Sequence, residues 1–292
     1  MSLAENVQFG IFTPPHQVDY ADLLRVWTEA DEIPEIAHAW LFDHLIPIAG
    51  DVTGPVLEGW TLLSALAAQT KRLRIGVMVT SNRFRPPSML AKIAATVDVV
   101  SGGRLEFGIG SGSRPGHPVA RHEYTSNGLP YHDADHAVAS LAEACTLIRR
   151  LWAEEEPFDF DGGFYRLERA FANPKPVQRP HPPIVIGGRA KATLRVVAEH
   201  ADVWNIPGGD IEDMVRRSEM LDSYCAEIGR DPKEIARSTV LGVSYDQPGQ
   251  TRAAVKEAVD AGFGHIVLML PTPYPDNVVR WVVDEIVTPT AS

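Results

Sequence analysis

Eight times along this sequence, a short apolar run is followed by a stretch whose apolar residues recur at helical spacing. The runs fall at 7–12, 39–42, 73–79, 105–109, 184–186, 202–206, 238–243 and 265–270. The helical stretches fall at 22–33, 58–70, 86–100, 135–152, 190–200, 211–228, 251–261 and 277–287. Strand–helix alternation implies a parallel sheet, because a helix must carry the chain back before the next parallel strand can begin. The runs are apolar throughout rather than alternating, which suits strands covered on both faces. Eight such units predict a closed (β/α)8 TIM barrel as a single domain over 1–292. A doubly wound open sheet is the alternative. Two connections are too long for simple turns. The one at 110–134 follows strand four and the one at 154–183 precedes strand five, so both read as insertions.

In a barrel, chemistry sits on the loops that leave the C-terminal ends of the strands. The first such loop carries His16, the second Asp43 and His44, and the third Thr80, Arg83 and Arg85. The fourth carries Ser111, Gly112 and Arg114, and the fifth Gly187, Gly188, Arg189 and Lys191. Five cations on one face of a chain with net charge −11 suit a phosphate or carboxylate. The pair Gly187–Gly188, between a strand and a helix start, would let backbone N–H groups approach an anion. The alternative for this pair is a tight turn, and for the arginines a solvated rim. Asp43 and His44 leave a buried strand side by side, where an imidazole can pass a proton near neutral pH. Neighbours on an extended segment point to opposite sides, so they need not touch. Asp43 could equally cap the next segment. Glycines 108, 110 and 112 alternate, which fits a backbone lying flat against a planar ligand.

The acidic balance argues against a nucleic-acid or membrane-surface binder, which needs a basic footprint. Cys145 and Cys225 belong to no metal or redox motif and read as buried thiols of a cytoplasmic protein. The ten histidines show no HxH or HExxH spacing, and His117, His122, His132 and His136 are spread along a loop and a helix start. No metal site is expected. The segment 1–6 has no export signal, and no apolar run reaches the length of a membrane span.

Several blocks, in order, resemble the bacterial luciferase-like monooxygenase superfamily. They are 58–76 (EGWTLLSALAAQTKRLRIG), 80–92, 95–112 (ATVDVVSGGRLEFGIGSG), 174–188 (PKPVQRPHPPIVIGG) and 201–205 (ADVWN). The resemblance implies the same barrel and a flavin-type cofactor, the deazaflavin F420 or FMN. Its ring would stack in the barrel mouth, against a non-prolyl cis peptide within 77–80. Asp43 and His44 match the pair that F420-dependent members place near the reactive ring. Thr80, Ser111 and Gly112 match positions lining the cofactor. Gly187 and Gly188 match the phosphate-cradling turn, with Ala190 and Lys191 just after it. Ser113 and Gly116 stand where the F420-dependent sugar-phosphate dehydrogenases carry Glu and Asn, so that activity is not expected. The implied chemistry is F420-dependent hydride transfer to or from a small substrate, with His44 moving the matching proton. The alternative is an FMN monooxygenase using oxygen and a separate reductase. A homodimer is also implied. From another class, a non-redox barrel enzyme acting on a phosphorylated substrate would explain the glycine pair and the cations.

Overall fold

The computed structural model describes residues 7–113 and 119–291. Eight parallel strand positions close on themselves, as the alternation predicts. In chain order they are β1 (Gln8–Phe12), β2 (Ile36–Leu41), β3 (Arg74–Val77) continued by β4 (Thr80–Ser81), and β5 (Leu105–Gly110). The insertion hairpin β6 (Phe158–Asp161) and β7 (Arg166–Ala170) intervenes. The ring then resumes with β8 (Ile184–Gly187), β9 (Val203–Pro207), β10 (Ala236–Gly242) and β11 (His265–Met269). Closure comes from β1 pairing β11, with Gln8 opposite His265 and Phe12 opposite Met269. On the other side β3 pairs β5, with Ile75 opposite Leu105.

The α-helices are α1 (Tyr20–Glu32), α2 (Gly59–Gln69), α3 (Pro87–Ser101), α4 (Ala120–Ser126), α5 (Ala134–Ala153), α6 (Lys191–His200), α7 (Ile211–Glu227), α8 (Pro248–Asp260), α9 (Val278–Val282) and α10 (Thr288–Ala291). The longer ones bury apolar side chains against the barrel, as amphipathic helices do. In α1 the buried set is Leu23, Val26, Trp27 and Ala30. Trp27, Trp40, Trp60, Trp152 and Trp204 are almost wholly enclosed. At that size each contributes a large buried apolar area, on the order of 150–250 Å². Glu58 caps α2 by accepting from Thr61 N at 2.6 Å. Gly102 closes α3 in the left-handed conformation at φ 68°.

Several boundaries differ from the sequence reading. Strand two starts at Ile36 rather than 39, because His38 is a fully buried interior residue that its polarity disguised. Strand three breaks after Val77 and resumes at Thr80, around a cis peptide between Met78 and Val79. The two long connections are also not plain loops. The first holds α4, and the second holds the antiparallel β6–β7 hairpin. Cys145 and Cys225 are free and buried. Burial in an apolar helix face raises the Cys145 thiol to about 12. Among the described residues, no helix is long and apolar enough to cross a membrane.

Candidate active site

The break in strand three positions the first half of the site. It turns Thr80 into the barrel end, where its hydroxyl donates to Asp43 Oδ2. Asp43 follows β2 and is 1% exposed. Arg85 grips the same carboxylate with both arms, Nη1 to Oδ2 at 2.6 Å and Nη2 to Oδ1 at 2.9 Å. Arg85 Nη2 also reaches Glu58, the cap of α2. Two planar groups meeting in a fork are geometrically selective as well as strong. Burial alone would lower the Arg85 pKa, but Asp43 and Glu58 outweigh it and raise it. Burial would raise the Glu58 carboxyl, but Thr61 and Arg85 hold it below the usual range.

Arg85 therefore does not face an incoming anion, contrary to the expectation for it. Arg85 is the cation that compensates the buried Asp43 carboxylate. Arg83 is also committed. Its Nε donates to Ser111 O at 3.0 Å, and its Nη1 donates to His132 O at 3.3 Å. Its guanidinium lies 4.4 Å from the Tyr124 ring centre and 5.5 Å from that of Tyr131. Arg83 staples the first insertion to the barrel. Arg114, Gly116 and His117 lie outside the described residues.

His44 turns away from Asp43, as expected for neighbours on extended chain. Its Nδ1 lies 3.0 and 3.2 Å from the two carboxylate oxygens of Glu123, on α4. Glu123 is fully buried and also accepts from Leu45 N at 2.7 Å. The His44 side chain is 25% exposed. Its ring meets the edge of Phe42 at 4.9 Å, and His16 meets Phe42 at 5.2 Å. Burial, and secondarily the nearby His44, lower the His16 pKa. Phe42 belongs to an apolar cluster that floors this end of the barrel. The cluster also includes Phe12, Met78 and Val185, with Val79 and Val240 packed against it.

Gly112 sits at φ 88°, and a Cβ there would lie 2.2 Å from Tyr124 Oη and 2.6 Å from Ser81 Oγ. Tyr124 Oη and Ser81 Oγ are themselves 2.7 Å apart. At Gly110 a Cβ would lie 2.8 Å from Val79 Cγ2, and at Gly108 1.8 Å from Val77 O. The alternating glycines thus make room for the chain's own strand-three break and first insertion. Gly187 also packs on Val79, whose Cγ2 a Cβ there would approach at 3.1 Å.

Gly188, at φ 150°, donates its N–H to Asn205 O at 3.1 Å and accepts from Trp204 Nε1 at 2.8 Å. Ala190 is the N-cap of α6 and has no side chain to cap it. Lys191, the first residue of α6, is exposed. The backbone N–H groups of this first turn are thus open to an anion. Arg189 donates to Pro207 O at 3.2 Å. The structure joins Asp43 with Thr80, and Ser111 with Gly112 through Arg83 and Tyr124. It sets Gly187, Gly188, Ala190 and Lys191 three strands round the ring from β2, reached from Thr80 through Val79. Sequence reasoning missed Glu58, Glu123 and Tyr124. The cap position of Glu58 could have signalled it; nothing local marks Glu123.

A groove of about 700 Å³ opens at the opposite end of the barrel, lined by Gln8, Glu106, Asp222, Arg237 and His265 among others. The polar groups at the C-terminal strand ends, not this groove, match the place where barrels do chemistry.

Residues 7–280 match the luciferase-like monooxygenase family. The chain belongs to this family. The luciferase-like chain is 32% identical over 211 residues to a phthiodiolone/phenolphthiodiolone dimycocerosates ketoreductase of Mycobacterium sp. (strain JLS). That match covers 70% of the chain but spans only about half of the ketoreductase, 52%. An uncharacterised Mycobacterium tuberculosis (strain ATCC 25618 / H37Rv) protein is 29% identical over 221 residues, 75% of this chain and 70% of that one. In three dimensions, this luciferase-like chain resembles an F420-dependent secondary alcohol dehydrogenase solved with an F420-acetone adduct. The TM-score is 0.85 at 17% identity, over 98% of this chain and 99% of that one. It also resembles the EDTA monooxygenase of Chelativorans sp. BNC1, with TM-score 0.77 at 12% identity over 98% and 93%. These likenesses carry the fold; the family comes from the sequence match.

Proposed function

We propose that the protein is an F420-dependent oxidoreductase that interconverts a carbonyl and the corresponding alcohol on a small organic substrate. The observation that carries this reading is the placement of His44. It stands partly exposed at the C-terminal barrel end, beside the buried Asp43–Thr80–Arg85 cluster and over an apolar floor. Support also comes from the relatives: one is named a ketoreductase and one a secondary alcohol dehydrogenase.

The residues present fit a flavin-type group. The apolar floor around the Met78–Val79 bulge suits a flat ring, and the α6 start, without a side-chain cap, suits a phosphate. Asp43, Thr80, Ser111 and Gly112 would hold the ring side, and Gly187, Gly188, Ala190 and Lys191 the phosphate side. Bound F420 would supply or take up a hydride. The chain's own work is then to orient, to exclude water and to move one proton. His44 gives that proton to a forming alkoxide, or takes it from a hydroxyl. The Asp43–Arg85–Glu58 array keeps the segment after β2 rigid, so that the imidazole is held in place. Oxygen-using chemistry with reduced FMN from a separate reductase is a second reading, favoured by the similarity to a monooxygenase fold. It uses the same residues and differs in which cofactor binds.

Lys92 Nζ is engaged by Asn173 O and Lys256 by Asp260. With Lys191 exposed at a helix start, none of these lysines offers a Schiff-base nucleophile, and the family match favours redox chemistry. A cytoplasmic homodimer is part of the proposal. Support for pairing comes from exposed apolar residues on α3 and beside it: Met89, Val99, Val100, Phe171 and Val177.

The test is His44→Ala. Turnover should fall about 100-fold or more while cofactor affinity stays within about threefold. Unchanged turnover would overturn the assignment.

A further inference from the structure

We infer that Glu123 is the positioning residue that fixes the tautomer of His44, holding its hydrogen on Nδ1 and leaving Nε2 as the ring's open acceptor. The inference rests on the reading of His44 as the proton-moving group, and names what prepares it.

Glu123 is the only carboxylate among the described residues that touches the His44 ring, and its side chain is fully enclosed. One of its oxygens accepts the Leu45 N–H at 2.7 Å, so the carboxylate is already acting as an acceptor. An ionised carboxylate can only accept. Facing such a carboxylate, the imidazole nitrogen 3.0 and 3.2 Å away donates, which places the hydrogen on Nδ1. A neutral imidazole carries one hydrogen, so Nε2 is left with a lone pair. Among the described residues Nε2 has no hydrogen-bond partner, and the ring is partly open to solvent.

The carboxylate cannot move aside easily. The next residue, Tyr124, is tied to Ser81 at 2.7 Å and lies under the Arg83 guanidinium. The Asn127 amide holds Glu123 O at 2.8 Å, and Leu129 N holds Tyr124 O at 2.9 Å. Arg83 in turn reaches Ser111 O and His132 O. The first insertion therefore presents one carboxylate to one imidazole from a braced helix. The other charged groups near His44 are otherwise engaged or differently placed. Asp43 is bound by Arg85, which also binds Glu58, and His16 approaches from the loop after β1 across the Phe42 ring.

The consequence is directional. With Nε2 open, neutral His44 is ready to take a proton from a hydroxyl. Once it has done so, the imidazolium is held by the Glu123 carboxylate, and in the reverse direction the imidazolium returns the proton from Nε2. A purely structural Glu123 would tie down the Leu45 amide and leave the tautomer to solvent.

The test reads the hydrogen directly, on the cofactor-free protein. With 15N-labelled histidine, long-range 1H–15N spectra well above the imidazole titration range distinguish a protonated nitrogen from a bare one. The His44 signals are assigned by their loss in His44→Asn. The expected result is a protonated Nδ1 and a bare Nε2 in the wild type, with a shift toward protonated Nε2 in Glu123→Ala. A wild-type ring protonated on Nε2 overturns the inference, whatever the variant does. A tautomer unchanged in Glu123→Ala overturns it too, because something else would then be fixing it. The readout needs no turnover, so its failure is distinct from unchanged turnover in His44→Ala, which would sink the functional reading instead.

Discussion

Gly108 shows how tightly the site is fitted at the residue scale. A methyl group there would sit 1.8 Å from Val77 O, inside the strand-three break that carries Thr80 to Asp43. Gly108→Ala should cost about 3 kcal/mol or more, because backbone rather than a flexible side chain must move. A thermal melt checks this, and a melting temperature within a degree or two of wild type would refute it. His200 makes a different kind of prediction. Burial first, then the nearby Arg149 and Arg230, push its pKa from 6.5 down to about 4. The folded state thus prefers the neutral ring, while the unfolded chain binds a proton more readily. Its contribution is fully present above about 6.5 and is lost as pH falls toward about 4. Melting temperature followed across that range should drop more steeply in the wild type than in His200→Asn. Parallel curves would show that His200 is not the group responsible.

At the scale of elements, α3 does more than line the barrel. Its buried Asp98 accepts from Val177 N at 2.7 Å, Gln178 N at 3.0 Å and Gln178 Nε2 at 2.7 Å. This carboxylate clamps the end of the second insertion just before β8. Asp98→Ala should destabilise the fold by about 2–3 kcal/mol, since three charge-assisted bonds to a buried carboxylate are lost; denaturant unfolding measures it, and no shift in midpoint would contradict the clamp. Gly188→Leu should weaken cofactor binding, because a Cβ there would lie 2.7 Å from Thr193 Cγ2 and would disturb the start of α6. The central elements were legible in the sequence because apolar burial imposes the periods it reads. The α1 stripe of Leu23, Val26, Trp27 and Ala30 is such a case. The β6–β7 hairpin was not legible. Its strands FDFD and RLERA are half-exposed and charged, so no apolar run marks them. Helix α4 was missed for a related reason: polar bonds from Glu123 and Tyr124, rather than an apolar face, hold it in place. Of the site, Asp43 and His44 were readable from their place after a strand. Glu123, the partner of His44, lies 79 residues beyond it, and only the folded chain brings it near.

At the scale of the whole molecule, a ring of eight parallel strand positions brings together loops far apart in the sequence. Asp43, Thr80 and Arg85 meet this way, and His44 meets the first insertion. The outer surface carries a further expectation. If the α3 side is the homodimer contact, Val99→Glu should shift the protein from dimer to monomer in light scattering. A wild type that is already monomeric would refute the pairing. The central claim is that the barrel mouth holds a deazaflavin beside His44. It is tested most directly by titrating the purified protein with F420 and, separately, with FMN while following cofactor fluorescence. The account predicts saturable binding of F420, tighter than that of FMN. Binding of neither cofactor would contradict it.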